Sequence, residues 1–405
     1  MWTVFRVIFS VVAAFLTVFV NTLSATGYAF NETVPDVRLP ASLSGGSACP
    51  LPSRQLTATG SILLRWSTSL STSPTTILTQ NQTVSGRLNE IEQVIQQSLG
   101  VWMGAGGTTL KPSSLAPLTR VTSAVSCGTD GLNSICFNQP DMAFTPGVLA
   151  FTRIVTADHI GEQLANGPAA SSPGQILDAD IFFNPNDSNV IFSTPAVLAA
   201  NPKSYDLESI LIHELGHFFG FSHSAIWSAM MYPYAPAPGT ISGARPTLQT
   251  PDAPLADDDR TGLRVLYPDA TDTVHVGSIA GRVLPANPLS LPANPPGVAG
   301  LFGTHIVAVD TASGNVIAGT LGGWSCTSPG PVQFDGSFLI QALPVGHSYQ
   351  IYAEALNGAV DPSQVSNALT PLCRNQMTDA GWPPLMSCVV PVAETSFTLR
   401  MRPEP

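Results

Sequence analysis

The segment "HELGHFFGFSH", from His213 to His223, combines residues that bind metal ions with one that moves protons. On a helix, His213 and His217 are four residues apart, so both imidazoles leave the same face and can reach one ion. Gly220 can adopt the left-handed conformation that ends a helix, and the turn brings His223 round as a third nitrogen ligand. Three neutral imidazoles suit Zn²⁺ and leave a fourth coordination position for water.

Glu214 follows the first histidine and is angled away from the ion, so its carboxylate can sit against that water. It would take the proton of the water and then deliver one to a leaving amine. The competing interpretation is a buried helix that happens to be rich in histidine. The chance of these residue types in this register is on the order of 10⁻⁵ for such a chain, which favours the metal site.

These residues need a helix and a sheet to position them, and the surrounding sequence predicts both. Apolar spacing predicts one helix in "TVSGRLNEIEQVIQQSLGVWM", with Ser85 as its N-cap, and a second over about 207–220. Strands are predicted at "SILLRW", "NSICF", "GVLAFTRIV" and "GQILDADIFFN". "PLADDDRTGLRVLYP" predicts a last helix, whose acidic first turn is favourable to the helix dipole.

From about His275 the sequence changes to short strands alone. They lie at "GSIAGRVL", "THIVAVD", "NVIAGTL", "SFLIQALP", "SYQIYAEA" and "SFTLRM". Regularly spaced strands with turns between them indicate a β-sandwich. The predicted fold is therefore an α+β domain over residues 59–269, followed by an all-β sandwich domain over residues 275–402.

The composition limits the compartment and the partners. The 405-residue chain has a net charge of -11 and 11% charged residues, so it offers no basic patch for nucleic acid or anionic lipid. Residues 1–29 have the pattern of a signal peptide, because the apolar run is too short for a membrane anchor and small residues follow it at Ala25 and Ala29. We therefore expect a secreted, extracellular protein without stable membrane insertion, in which residues 30–58 form a linker or short pro-segment.

Six cysteines in an exported chain suit disulfides. Cys127 and Cys136 are spaced to clip a turn that contains Asp130 and Gly131, and we predict that they are paired. The pairing of the other four, including Cys49, stays open.

The motif from His213 to His223 resembles the metzincin zinc peptidases, whose extended motif is HExxHxxGxxH. Ser224, the following "AMMYP" and the final "LADDDRTGLRVLYP" are similar to the matrixin branch. The resemblance implies a twisted mixed sheet, an active-site helix and a C-terminal helix. It also implies that Met231 forms a hydrophobic floor beneath the zinc. A rival register, Ser228, Met230 and Tyr232, fits the corresponding turn of the astacin and serralysin branches.

The sequence departs from the matrixin pattern in three respects. No histidine set for the family's second zinc is evident, since His159 is alone in its region. Calcium sites are unmarked, although Asp130, Asp178 and Asp180 could contribute to binding Ca²⁺. The inhibitory PRCGxPD motif is absent, and the alternatives for Cys49 are a thiolate that caps the zinc, a disulfide or a free thiol.

Residues 275–402 resemble the carboxypeptidase regulatory-like, transthyretin-type β-sandwich. This accessory domain is expected to bind a surface or matrix ligand, or else to act only as a stabilising spacer. His275, His305 and His347 are scattered within it and are predicted to be surface or turn residues.

Together these features predict a zinc metalloendopeptidase that cleaves protein or peptide substrates through a zinc-bound water activated by Glu214. The substrate would lie extended along the sheet edge, and the loop from Tyr234 to Ala256 would line the pocket for the residue after the cleaved bond. The alternative is an extracellular adhesin or matrix-binding protein with a structural zinc site, for which Glu214 would be unnecessary.

Overall fold

The structure is a computed structural model, and it describes the chain in segments. These are residues 28–30, 32–33, 51–52, 65–67, 84–85, 88–111, 119–121, 127–137, 142–157, 159–171, 175–184, 191–269, 271–272, 275–284, 304–322, 325–326, 332–333, 336–354 and 394–401. Residues 1–27 of the predicted leader and Cys49 lie outside this part of the chain. Within it, no helix is long and apolar enough to span a bilayer.

Helices alternate with strands as far as Leu266, after which the described elements are strands only. The helices are α1 (Leu88–Met103), α2 (Pro195–Leu198), α3 (Leu207–Phe218) and α4 (Asp257–Leu266). The strands up to Ala235 are β1 (Tyr28–Phe30), β2 (Glu32–Thr33), β3 (Leu51–Pro52), β4 (Arg65–Ser67), β5 (Val84–Ser85), β6 (Thr119–Val121), β7 (Ser134–Cys136), β8 (Val148–Thr156), β9 (Ile176–Phe183), β10 (Phe192–Ser193), β11 (Tyr205–Asp206), β12 (Phe221–Ser224) and β13 (Tyr234–Ala235). The later strands are β14 (Val276–Arg282), β15 (Thr304–Asp310), β16 (Val316–Gly322), β17 (Ser325–Cys326), β18 (Val332–Gln333), β19 (Ser337–Pro344), β20 (Tyr349–Glu354) and β21 (Glu394–Met401).

The main sheet is mixed and has the strand order β13-β21-β8-β9-β7-β4-β6. Strands β9, β7, β4 and β6 are parallel, whereas β8 runs antiparallel to β9. Every residue of β9 is buried, as expected of a strand covered on both faces. The strands predicted at "NSICF", "GVLAFTRIV" and "GQILDADIFFN" are thereby confirmed as β7, β8 and β9.

Helices α1 and α3 pack together beside this sheet. The predicted apolar stripe of α1 is buried, and the indole of Trp102 donates a 2.8 Å hydrogen bond to the backbone oxygen of Ile212 in α3. Ser85 is not the N-cap of α1. It lies in β5, which pairs with β10, because hydrogen bonds to a neighbouring strand compete with capping for that stretch of backbone.

The later strands form antiparallel pairs. Strand β14 pairs with β19, and β15 lies between β16 and β20. His305 on β15 is buried, contrary to the surface position predicted for it, because its side chain turns towards Gly319 of β16. A complete sandwich stays a prediction. Strand β21, which the sequence assigns to this region, instead pairs with β8 and β13 of the main sheet.

A disulfide joins Cys127 to Cys136 around the turn that contains Asp130. The Asp130 side chain accepts a 2.9 Å hydrogen bond from the amide of Leu132, and its own amide donates to Asp178 Oδ2 at 3.2 Å. Asp180 lies two residues further along β9, and its Oδ2 is 3.6 Å from Arg153 Nη2. Three carboxylates therefore lie near one another at the start of β7 and β9.

Replacing Asp180 with asparagine should flatten the pH dependence of stability. Burial, and secondarily the charge of Asp178, raise the pKa of Asp180 from 3.8 to about 8. A carboxyl group with a raised folded-state pKa stabilises the fold below its unfolded pKa, and the contribution is lost as the pH rises through the folded pKa. At about 1.4 kcal/mol per pKa unit, the parent should lose at least about 2 kcal/mol of unfolding free energy between about pH 5 and about pH 8.

Urea denaturation in calcium-free buffer at several pH values measures the slope of the unfolding free energy against pH. Asp257→Asn, a change of equal size at a partly exposed aspartate, is the matched control and should keep the slope of the parent. An equally steep slope in the Asp180→Asn variant would contradict the assignment.

Candidate metal centre

Helix α3 presents the first two histidines on one buried face. The helix begins after Asp206, whose carboxylate accepts a 3.1 Å hydrogen bond from the amide of Ser209 and so caps the N-terminus. His213 and His217 are 2% and 0% exposed. Their Nε2 atoms lie 3.1 Å apart, so the spacing of four residues does aim both imidazoles at one point.

The chain reverses at Gly220 and returns the third histidine to that point. Gly220 has a φ of 105°, which an L side chain rarely adopts, and it lies between the end of α3 and β12. His223 on β12 then places its Nε2 atom 3.2 Å from Nε2 of His217. In the described part of the chain, these three residues are the one set of His, Cys, Asp and Glu side chains whose ligand atoms lie within 4.8 Å of one another.

Backbone carbonyls determine which ring nitrogen of two histidines carries the proton. Nδ1 of His213 lies 2.7 Å from the carbonyl oxygen of Met230, and Nδ1 of His217 lies 2.8 Å from that of Phe221. A carbonyl oxygen only accepts, so both Nδ1 atoms must donate, and both Nε2 atoms carry lone pairs. Lone pairs this close repel one another unless a cation lies between them, so the donor set fits a metal ion.

Burial keeps the imidazoles of His213 and His217 neutral. It lowers the pKa of His213 to about 4, and it lowers the pKa of His217 well below 6.5 with further contributions from His223 and His213. Neutral imidazole nitrogens are the ligands that Zn²⁺ takes in catalytic sites. His213, His217 and His223 would therefore hold a zinc ion.

Glu214 is fully buried beside the first histidine. Oγ1 of Thr152 on β8 lies 2.6 Å from Oε2 of Glu214, and Oε1 has no hydrogen-bond partner within the described residues. Burial raises the pKa of Glu214 to about 8, although the Thr152 hydrogen bond opposes the rise. Thr152 thus holds one carboxylate oxygen in place, and the other is left to interact with water or substrate.

Met231 packs beneath α3. It is 1% exposed, and its sulfur and methyl group lie against Gly216, the residue before His217. The ring of Tyr232 instead packs 5.1 Å from that of Trp227. These contacts favour Met231 over the rival register for the floor of the site, while the backbone of Met230 orients His213.

Two carboxylates of α4 hold β12 and the turn that contains Met230 and Met231, here called the methionine turn. Sequence reasoning did not identify these carboxylates. Asp259 accepts hydrogen bonds from the amides of Met230 at 2.7 Å and Met231 at 3.2 Å. Asp258 accepts from the Ser224 hydroxyl at 2.7 Å and from the amide of Gly319 on β16 at 3.0 Å. Both carboxylates are buried, which raises the pKa of Asp258 to about 7 and that of Asp259 to about 6.

The acidic run at the start of α4 was the available signal, but it is equally explained by the helix dipole. Thr152 gave no signal, because a threonine in a strand is common.

The remaining predicted site residues lie elsewhere. Asp130, Asp178 and Asp180 are not part of the histidine cluster, so calcium binding stays a prediction, and His159 is exposed with its Nδ1 3.6 Å from Glu162.

A cavity opens beside His213 with a volume of about 370 Å³. Part of its wall is the loop that the sequence assigned to substrate binding. Residues of this loop that line the cavity include Tyr234, Ala235, Ile241 and Pro254. Arg245 ties the loop to the start of α3, because it forms ion pairs with Asp206 and Glu208.

The part of the chain that holds the three histidines is similar to a known protein family. Residues 154–268 match the matrixin family, peptidase M10. A stretch of 64 residues is 39% identical to metalloendoproteinase 1 of Glycine max and covers 16% of this chain and 17% of that protein. A stretch of 62 residues is 39% identical to metalloendoproteinase 5-MMP of Arabidopsis thaliana, covering 15% and 14%.

The chain therefore contains a matrixin-like metallopeptidase segment. A matrixin segment implies an α+β metzincin fold, which agrees with the mixture of helices and strands described above. The chain spans less than a fifth of the length of these two relatives.

Gly216→Ala should destabilise the protein and weaken metal retention. An added Cβ would lie 2.7 Å from Trp102 Cζ2 and would overlap the sulfur of Met231. Overpacking of this kind typically costs about 1–3 kcal/mol. Gly100→Ala is the matched control in α1, where an added Cβ meets no atom within 4 Å. It should leave metal content unchanged and stabilise the helix by up to about 1 kcal/mol. Thermal unfolding and zinc analysis distinguish the two, and equal stability of both variants would contradict the packing described for Met231.

Proposed function

We propose that this protein is a secreted zinc-dependent endopeptidase in which Glu214 is the catalytic base. The observation that carries the proposal is the buried carboxylate of Glu214, which stands next to three converging imidazoles with one oxygen unpartnered within the described residues. The matrixin match over residues 154–268 supports the same activity.

Zinc bound there would supply Lewis-acid chemistry, polarising a peptide carbonyl and acidifying a water molecule. Glu214 accepts a proton from the attacking water and then delivers it to the amine of the leaving peptide. Thr152 keeps the carboxylate aimed at the reacting atoms through its hydrogen bond to Oε2. The raised pKa of Glu214 suits a group that must both accept and return a proton.

The substrate is an extended peptide aligned beside β8. That strand carries Thr152, so a peptide along its edge passes the catalytic carboxylate. The side chain after the cleaved bond enters the cavity next to His213, which is lined by apolar groups such as Ile210, Tyr234 and Ile241. A large apolar residue is therefore the preferred one at that position.

Secretion is supported by the leader pattern of residues 1–29 and by the Cys127–Cys136 disulfide. The region after residue 275 supports the site directly, since the amide of Gly319 holds Asp258. Stabilisation is therefore the favoured role for this region, and binding of a surface or matrix ligand is the other.

The rival function is an adhesin with a structural zinc site. Structural zinc sites have four protein ligands. In the described part of the chain, the cluster contains three. A site with three protein ligands and an adjacent carboxylate is suited to catalysis rather than to structure alone.

Glu214→Gln should retain zinc and lose peptidase activity. General acid–base catalysis contributes about 10²–10⁴-fold, so turnover of an unfolded protein substrate should fall by about that factor while zinc content stays at that of the parent. Glu162→Gln is the matched control, a change of the same type at a residue outside the histidine cluster, and should keep full activity. Zinc-loaded parent and control proteins that fail to cut any peptide would favour the adhesin, whereas equal cutting by all three would exclude Glu214 as the base.

Metal removal should destabilise the fold as well as stop catalysis. A ligand present at about 1,000 times its dissociation constant stabilises the native state by about 4 kcal/mol, because the unfolded chain cannot assemble the three imidazoles. Chelation should lower the unfolding midpoint of the parent. His217→Gln should show a low midpoint before chelation and no further response, and a parent whose midpoint is unchanged by the chelator would argue against a metal at this site.

A further inference from the structure

We propose that the segment Glu394–Met401, strand β21, is an internal inhibitory strand that occupies the place of the peptide substrate. The proposal rests on the peptidase function above. It assigns a specific occupant, a segment of this chain, to the binding edge of the main sheet.

Strand β21 bridges the two backbone segments that flank the metal centre. It runs antiparallel to β8, from Glu394 opposite Val155 to Arg400 opposite Val148. On its other side it runs parallel to β13, with Arg400 opposite Tyr234 and Met401 opposite Ala235. Neighbouring strands lie about 4.8 Å apart. Strands β8 and β13 are therefore about two such spacings apart, which leaves room for one extended chain between them.

This position lies beside the catalytic residues. Thr152, whose hydroxyl contacts Glu214, is the β8 partner of Phe397. Tyr234 and Ala235 of β13 line the cavity next to His213. Strand β21 also contacts α3, the helix that carries His213, Glu214 and His217. The backbone of β21 therefore passes between the base and the cavity that would receive a substrate side chain.

A peptide substrate needs the same hydrogen bonds. Extended peptides bind to sheet edges through main-chain groups, which makes the binding tolerant of sequence. One edge of β8 is taken by β9, so the edge that β21 covers is the edge left for a substrate. Because a strand has one set of main-chain groups on each edge, β21 and a substrate cannot pair with β8 at the same time.

Tethering makes the internal strand an effective competitor. A segment held on the same chain has an effective concentration in the millimolar range, so even weak pairing keeps the edge occupied at low substrate concentrations. The inhibitory PRCGxPD motif is absent from the sequence, and β21 provides a different means of restraining the enzyme.

The test uses the full chain with Phe397→Pro and Thr398→Pro together. Consecutive strand residues point their amides to opposite sides, so the pair removes at least one amide that faces β8. The matched control is Phe397→Ala with Thr398→Ala, which keeps both amides. On a peptide substrate, the proline variant should show a KM lower by about tenfold, with kcat unchanged, and the alanine variant should behave as the parent.

Two further measurements separate inhibition from a general change in structure. In a Glu214→Gln background, the amides of residues 148–155 should exchange with deuterium faster in the proline variant than in the alanine variant. A synthetic peptide of residues 394–401 should raise the KM of the proline variant without changing kcat, and the same peptide with the two prolines should not. If the proline variant fails to retain zinc, a chain ending at Ala393 replaces it in all three measurements.

The outcomes distinguish this proposal from the one on which it rests. Equal exchange in the two variants overturns the occupancy of the edge, whatever the activity. Faster exchange with an unchanged KM overturns inhibition and makes β21 a structural strand that protects a sheet edge. Faster exchange with no peptidase activity in the parent, the proline variant or the alanine variant would contradict the proposed function, and the inhibitory role with it.

Discussion

The convergence of three imidazole Nε2 atoms on one point, in a place from which water is largely excluded, is the constraint on which the rest of the site depends. The Nε2 atoms of His213, His217 and His223 approach to 3.1 and 3.2 Å. Such an arrangement is unfavourable without a cation, and burial opposes protonation because it lowers the pKa of His213 and of His217. The fold must therefore hold the three rings in position against their mutual repulsion.

Hydrogen bonds from several parts of the chain hold the cluster, and most of them involve backbone groups. The carbonyls of Met230 and Phe221 fix two rings, and the amides of the methionine turn are fixed in turn by Asp259. Asp258 extends the network to β16, beyond the segment that resembles matrixins. A buried carboxylate that accepts hydrogen bonds from several amides is costly to leave unpaired, so these contacts form together or not at all. The catalytic segment and the later strands thus share both a hydrogen-bond network and a continuous hydrophobic core that includes Ile306 and Ile340.

Strand β8, which would be an edge strand without β21, has two roles that conflict. Its side chain at Thr152 orients Glu214, and its backbone is the surface to which an extended peptide can bind. An exposed sheet edge also invites unwanted pairing with other chains. Strand β21 covers this edge and so prevents unwanted pairing. Through the same hydrogen bonds, β21 competes with the substrate.

Much of this protein was determined by local sequence. The spacing of His213 and His217, the glycine at 220 and the apolar stripe of α1 each depend on helix geometry or on one backbone conformation, and these are properties of a few neighbouring residues. Strands β7, β8, β9, β14, β15, β16, β19 and β20 were recognised for the same reason, by β-branched and aromatic residues between turn signals, whereas short strands such as β5, β10 and β12 were not. Tertiary structure alone decided which side chains support the site. Thr152, Asp258 and Asp259 act on partners that are 28 to 62 residues away in the chain, such as Met231 and Glu214. It also decided the place of β21, because a strand's sequence states that it will pair but not with which edge, and main-chain hydrogen bonds are the same for every edge.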